Sequence, residues 1–392
     1  MLKNIDSTQL KLQELFNNST INARNGSYSS KIDLPRAEFN NQNLLSFAKA
    51  DFETPTPQPI QSLLIDHIQK YSSGYSYHPD SLYAAIINWQ QKYFGVNLKK
   101  QDIAFIPGVM PGICLALKAI MNPGDKVTLF TPEYPAFFTL MEANRYIWDS
   151  VSIQDDTINF EALDLQLKNS KVLLLSNPHN PTGKVLSRSE IQKIVQLCNK
   201  YDIYLIIDEI WQDITFDVQH QSILKYRSEK TVSFSSGSKS FNTAGFQLAF
   251  ALIEDQSLRR AFQAEQDKSF LNSSNIAGIL ALQTGYEQCD QYLFAWKKYI
   301  AENMDYCSKY LRDNVPQVLT YVPDATCLLM LDFSQVFKNC EEAEQALAKQ
   351  NIYLQKGSDF KFNGVFMRLN CGTSRQELNL CMQAVKRAVE VK

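Results

Sequence analysis

The chain is poor in histidine, and its few histidines are scattered. The 4 of them stand at 67, 78, 179 and 220, with no HExxH or paired spacing, so they do not suggest a metal centre and read as structural or solvent-facing. The 8 cysteines lie at 114, 198, 289, 307, 327, 340, 371 and 381, too dispersed for a zinc framework or a dense disulfide lattice. Reduced, mostly buried thiols are expected. Neither charge sign is in excess, with 39 Lys and Arg against 41 Asp and Glu, which leaves no field favouring nucleic acid or an anionic membrane. No run approaches the roughly 18 apolar residues of a membrane span. The opening MLKNIDSTQLKLQELFNN has neither a long apolar core nor a small-residue cleavage site. Repeats, low-complexity linkers, Walker loops and Gly-x-Ser-x-Gly elbows are missing too. What remains is a cytoplasmic protein acting on a small molecule, without nucleic-acid or membrane partners. Its 392 residues allow two domains, or one large domain with an annex.

From about residue 100 to 255, short apolar runs alternate with helical patterns: DIAFI then GICLALKAIM, KVTLF then AFFTLMEA, KVLLL then SRSEIQKIVQLCNKY, then IYLIID and TVSFSS. Runs apolar on both faces, separated by helices, predict an α/β fold with a mostly parallel, helix-covered sheet. The ends are mixed. A helical start and an irregular polar stretch fill 1–46, and helix, strands (ATCLLMLDF, GVFMRLN) and more helix fill 286–392. The expected organisation is a large domain over 47–285 and a smaller α+β domain over 286–392, which the 1–46 segment joins.

Parallel sheets place their sites at the carboxyl ends of strands, and polar clusters follow the runs there: PGVMPG, TPEYP, SNPHNPTG, DEIW and SSGSKS. Asp208 closes IYLIID, where a buried carboxylate needs a cationic or hydrogen-bonding partner; alone it reads equally as an exposed strand-end acid. Val109 and Met110 open a helix whose first amides suit an anion. Ser236 and Ser238 add hydroxyls beside Lys239. Tyr134 offers a flat ring, although a lone tyrosine is more often core. Asn180 is a turn former whose amide can donate to a ligand oxygen. Together these residues supply an amine nucleophile, an acid for a ring nitrogen, a donor for a phenolic oxygen, a stacking ring and a phosphate cradle. Pyridoxal 5′-phosphate (PLP) asks for those groups, and Lys239 would then be a reactive amine and not a solvated charge.

At this point the sequence resembles the fold-type I PLP enzymes of the aspartate aminotransferase superfamily. SNPHNPTG, IDEIW and SGSKSFN occur in that family's order and approximate spacing, and the likeness covers roughly residues 20–376. Within it the chain is most similar to the cystathionine β-lyase/C–S lyase branch, through NGSYSSKID, ADFETPTPQPI, GYSYHPDSLYAAIINW, GVMPGI, PEYPAFF, PDATCLLMLDF and MRLNCG. The resemblance implies that Lys239 is the Schiff-base lysine, Asp208 the pyridine-nitrogen partner, Asn180 the donor to the phenolic oxygen and Tyr134 the stacking ring. Val109, Met110, Ser236 and Ser238 would hold or border the phosphate, and Arg368 would pair with the substrate carboxylate. Tyr75 would reach in from a second subunit, which implies a homodimer. By themselves Arg368 reads as a strand-edge surface charge and Tyr75 as a packing residue.

The chain departs from the family pattern at four positions. Lys49 stands where an acid is usual, Trp211 where histidine is common, Gln247 where many aminotransferases carry arginine, and Cys327 where the lyases tend to show an aromatic. The implied reaction is α,β-elimination from an L-amino acid with a sulfur leaving group. The alternative is an aminotransferase, which needs the same residues. A weaker one is a PLP-binding regulator without turnover, disfavoured because no DNA-binding helix pair or basic patch precedes the core.

Overall fold

The computed structural model describes residues 7–154, 156–227 and 229–392. Two compact units emerge: one comprises Met1–Pro55, Pro181–Gly183 and Gln291–Lys392, the other Thr56–Asn180 and Lys184–Asp290. Strands are numbered along the chain. β1 (Leu45–Ser46) belongs to the first unit. The second holds β2 (Ile103–Ile106), β3 (Lys126–Thr131), β4 (Ile147–Gln154), β5 (Thr157–Ile158), β6 (Val172–Ser176), β7 (Tyr204–Asp208), β8 (Thr231–Ser235) and β9 (Ala249–Leu252). In the first unit again are β10 (Leu319–Thr320), β11 (Leu328–Asp332), β12 (Ile352–Tyr353), β13 (Gln355–Lys356) and β14 (Phe366–Asn370).

The second unit is built on an eight-stranded sheet in the order β2-β9-β8-β7-β6-β3-β4-β5. β8, β7, β6, β3 and β4 run parallel, while β9 is antiparallel to both of its neighbours and β5 to β4. Every residue of β6 and β8 is buried, as expected for strands covered on both faces. Leu174, Ile206, Val232 and Phe234 meet Ile113 of the helix Val109–Ile120 and Phe137 of the helix Pro135–Ala143 in one core. Each such side chain stabilises by roughly 1.5–3 kcal/mol relative to exposure. Gly112 lets the Val109–Ile120 helix lie close to the sheet: a Cβ there would stand 2.6 Å from Phe234 Cε1. The helix Arg188–Lys200 starts with a reciprocal cap in which Ser187 and Glu190 satisfy each other's backbone N–H groups.

In the first unit the order β10-β11-β14-β13 makes a four-stranded antiparallel sheet, and β1 pairs in parallel with β12. The first helix among the described residues is Ser7–Asn17; positions 1–6 of the expected helical start lie outside the described residues. Lys31 is fully buried and pairs with Glu53 at 2.8 Å, beside an Arg24–Asp51 bridge at 2.9 Å. None of the 8 cysteines is in a disulfide, and all but Cys114 are buried. Among the described residues no helix is long and apolar enough to cross a membrane, and no cluster of His, Cys, Asp or Glu could hold a metal ion.

Candidate active site

The polar clusters lie on neighbouring strand ends of the eight-stranded sheet. Ser176 at the end of β6 is in register with Asp208 at the end of β7, and Asp208 with Phe234 of β8. Adjacent strands are about 4.8 Å apart, so the Asn180 loop after β6, Asp208 and the Ser236–Lys239 turn after β8 share one edge. Tyr134 follows β3, next in the sheet, and caps the helix Pro135–Ala143. Val109 and Met110 open the helix whose Gly112 lies against Phe234 of β8.

Each residue is held by local bonding. The Asn177 N–H donates to the Asp208 carbonyl (2.9 Å), while its side-chain oxygen accepts from the Leu186 N–H (3.0 Å), which folds the NPHNPTG loop back on itself. Within that loop the His179 N–H donates to the Lys184 carbonyl (2.8 Å), and the Asn180 N–H donates to Ser176 Oγ (3.2 Å). Peptide bonds Thr131–Pro132 and Asn177–Pro178 are cis. Around Lys239 the backbone closes tightly. The Gly237 carbonyl accepts from Phe241 N–H (2.9 Å) and the Ser238 carbonyl from Thr243 N–H (3.0 Å). Ser240 Oγ donates to Asp213, which also accepts from Trp89 Nε1 (2.9 Å). Ser236 Oγ donates to the Leu248 carbonyl (2.6 Å) and accepts the Ser238 N–H (3.0 Å), so it shapes the turn. Ser236, Gly237, Ser238 and Thr243 line one side of a small cavity whose other walls include Phe246, Leu248 and Leu282.

Electrostatically, Asp208 is the centre of the site. Burial pushes its carboxyl up to about 7, against the opposing pull of the Ile210 N–H and the Lys239 charge, while Glu209 pushes it further up. A carboxylate in that position favours a cation beside it. Lys239 Nζ stands 5.4 Å from the ring centre of the buried Trp211. The donor set fits PLP: an amine, a buried acid, an amide, a ring and an anion cradle lie along one sheet edge. Tyr75 is fully exposed in the irregular stretch before the helix Asp80–Trp89. Arg368 is in the first unit, on β14, and is buried. It donates to the Ala48 carbonyl (2.9 Å) and Gln355 Oε1 (2.5 Å) and lies 4.6 Å from the Phe360 ring centre, so it is not a surface charge.

Two features escaped the reading of the sequence. Trp211 was visible only as a departure from a pattern, not as the ring facing Lys239. Glu133, inside PEYP, has the look of an exposed loop acid, since glutamate is almost never fully buried. Yet its side chain is entirely out of water.

Comparison with known proteins places this geometry in a class. Residues 47–385 match the family described as aminotransferase class I and II, and the chain belongs to that family. It is 29% identical to the cystathionine beta-lyase PatB of Bacillus subtilis, over 93% of this chain and 98% of that protein. To the protein MalY of Escherichia coli it is 27% identical, over 93% and 96%. A PLP-bound candidate aminotransferase from Clostridium difficile superposes with a TM-score of 0.92 at 25% identity, covering 95% of this chain and 99% of that one. Cystalysin from Treponema denticola, whose structure contains PLP, gives 0.92 at 24% identity over 96% and 98%, a likeness of fold.

Proposed function

We propose that the chain is a PLP-dependent C–S β-lyase, a cytoplasmic homodimer that cleaves an L-cysteine thioether such as cystathionine to pyruvate, ammonia and a thiol. The carrying observation is Lys239 on the turn after β8, with its charge acting on the buried Asp208 at the end of the adjacent β7. The lyase branch is supported by near full-length likeness to a cystathionine beta-lyase. When bound, PLP supplies the electron sink that acidifies the substrate's Cα–H bond. Lys239 would hold the cofactor as its amine partner and, as a free amine beside the substrate, would take the Cα proton. Asp208 keeps the ring nitrogen protonated, Asn180 donates to the phenolic oxygen, and Tyr134 covers the ring. The amides of Val109 and Met110, with the Ser238 hydroxyl, take the phosphate, Ser236 borders it by shaping the turn, and Arg368 takes the substrate carboxylate. The thiolate leaves Cβ with the bonding pair, and hydrolysis of the resulting enamine yields pyruvate and ammonia. In the same proposal residues 47–285 form the cofactor-binding domain, and 1–46 with 286–392 the smaller one.

The test is incubation of the PLP-loaded protein with L-cystathionine, following pyruvate and free thiol together. Equal yields of the two are expected. Lys239→Ala should lose both, together with the borohydride-fixed cofactor label; full turnover in that variant overturns the assignment of the base. Aminotransferase chemistry is the second reading, favoured by the family itself and by Trp211 at a position where histidine is common. Conversion of the cofactor to pyridoxamine phosphate by an amino acid, without pyruvate, would establish it.

A further inference from the structure

Behind the proposed cofactor face lies a buried acid that none of those roles uses. Glu133 Oε1 accepts from the Tyr134 N–H (2.8 Å) and from Ser176 Oγ (2.7 Å), and Ser176 Oγ in turn accepts the Asn180 N–H (3.2 Å). Its second oxygen, Oε2, accepts from the Ser176 N–H (3.4 Å) and faces Nε2 of the buried His179 at 3.7 Å. One carboxyl group thus ties the backbone of the ring-covering tyrosine to that of the amide donor. It does so through Ser176, the residue in register with Asp208.

Charge decides which form of the carboxyl suits this place. Two ionised carboxylates facing each other without water repel strongly. Burial and the charge of Asp208 push Glu133 up to about 8, against its three hydrogen-bond donors, and burial pulls His179 down to about 4, helped by Lys184 and opposed by the Pro132 carbonyl. The other charged groups around this wall are Lys239, which draws Asp208 towards its ionised form, and Glu209, which opposes it. A single proton shared by Glu133 and His179 leaves the pair without net charge, whichever of the two carries it.

Resting on the PLP reading above, we propose that Glu133 is a positioning residue: with His179 it keeps one proton at neutral pH and so braces Tyr134 and Asn180 without setting a second negative charge against Asp208. Glutamine reproduces the neutral form. Its oxygen accepts where Oε1 does and its amide can face His179, at the loss of the long 3.4 Å bond from the Ser176 N–H.

The experiment titrates PLP into the full-length chain at pH 6 to 10 for wild type, Glu133→Gln and Glu133→Ala, reading the dissociation constant and the visible absorption band. At pH 7 Glu133→Gln should bind within about threefold of wild type, while Glu133→Ala, which strands all three donors, should weaken binding by about tenfold or more. Between pH 7 and 9 wild type should lose affinity relative to Glu133→Gln, as its carboxyl charges and the glutamine cannot. If Glu133→Gln is as weak as Glu133→Ala at pH 7, a carboxylate charge is required and the proposal is wrong. Superimposable pH curves for wild type and Glu133→Gln, in affinity and in absorption, would also overturn it, since a purely structural strut does not titrate. Should Glu133→Ala fail to fold, the comparison of wild type with Glu133→Gln decides alone. Wild type that binds no PLP at any pH would instead remove the cofactor reading, and the proposal with it.

Discussion

Asp208 and Glu133 lie where the apolar sheet ends and the chemistry begins, and both carboxyls titrate above their ordinary values, Asp208 at about 7 and Glu133 at about 8. The folded chain therefore keeps protons that the unfolded chain has released. The stabilisation they represent is complete below about pH 4 and is lost as pH rises through the folded values, so the cofactor-free chain should weaken from pH 5 to pH 8. Each group contributes a slope of at most about 1.4 kcal/mol per pH unit. Asp208→Asn keeps an acceptor for the Ile210 N–H but cannot titrate, so urea unfolding of that variant should vary less with pH than wild type. An unchanged slope would show that Asp208 titrates near its ordinary value. The same variant should lower turnover about 100-fold, because a neutral amide cannot hold the ring nitrogen protonated.

Among the elements, the helix Val109–Ile120 depends on having no side chain at one position. A Cβ on Gly112 would meet Ile106 Cδ1 at 2.2 Å and Phe234 Cε1 at 2.6 Å, both in buried strands that cannot retreat. Gly112→Ala should therefore destabilise the chain by about 1–3 kcal/mol despite alanine's higher helix propensity. It should also weaken PLP binding by moving the amides of Val109 and Met110; a lower denaturation midpoint with unchanged PLP affinity would separate that helix start from the phosphate site. Elements such as β6, β7 and β8 were legible because strands covered on both faces leave unbroken apolar runs. The antiparallel β9 was not, since a run such as LAFALI carries no mark of its direction. β4 mixes apolar with polar positions, as in IWDSVSIQ, and leaves no such run. At the site, Lys239, Asp208 and Asn180 could be found because each follows a strand in a recognisable cluster. Glu133 could not, since nothing in PEYP shows that a neighbouring serine and histidine from a loop some forty residues later enclose its carboxyl.

For the whole molecule, the question is whether a single chain can complete the site. Tyr71, Tyr75 and Tyr77 are exposed within one short stretch, Tyr75 entirely, and clustered exposed aromatics are a common mark of a surface that meets another protein. If Tyr75 completes the site of a second copy, a chain lacking Lys239 can still lend its tyrosine. Mixed dimers of Lys239→Ala and Tyr75→Ala then contain one site with both defects and one with neither. Random reassortment makes half the dimers mixed, so two inactive preparations, unfolded and refolded together, should recover about a quarter of wild-type pyruvate formation. Refolded separately, each should stay inactive, and light scattering should give about twice the 44.8 kDa chain mass. No recovery from a mixture whose dimers have demonstrably exchanged would place Tyr75 in its own chain's site, and the exposed tyrosines would then need another explanation.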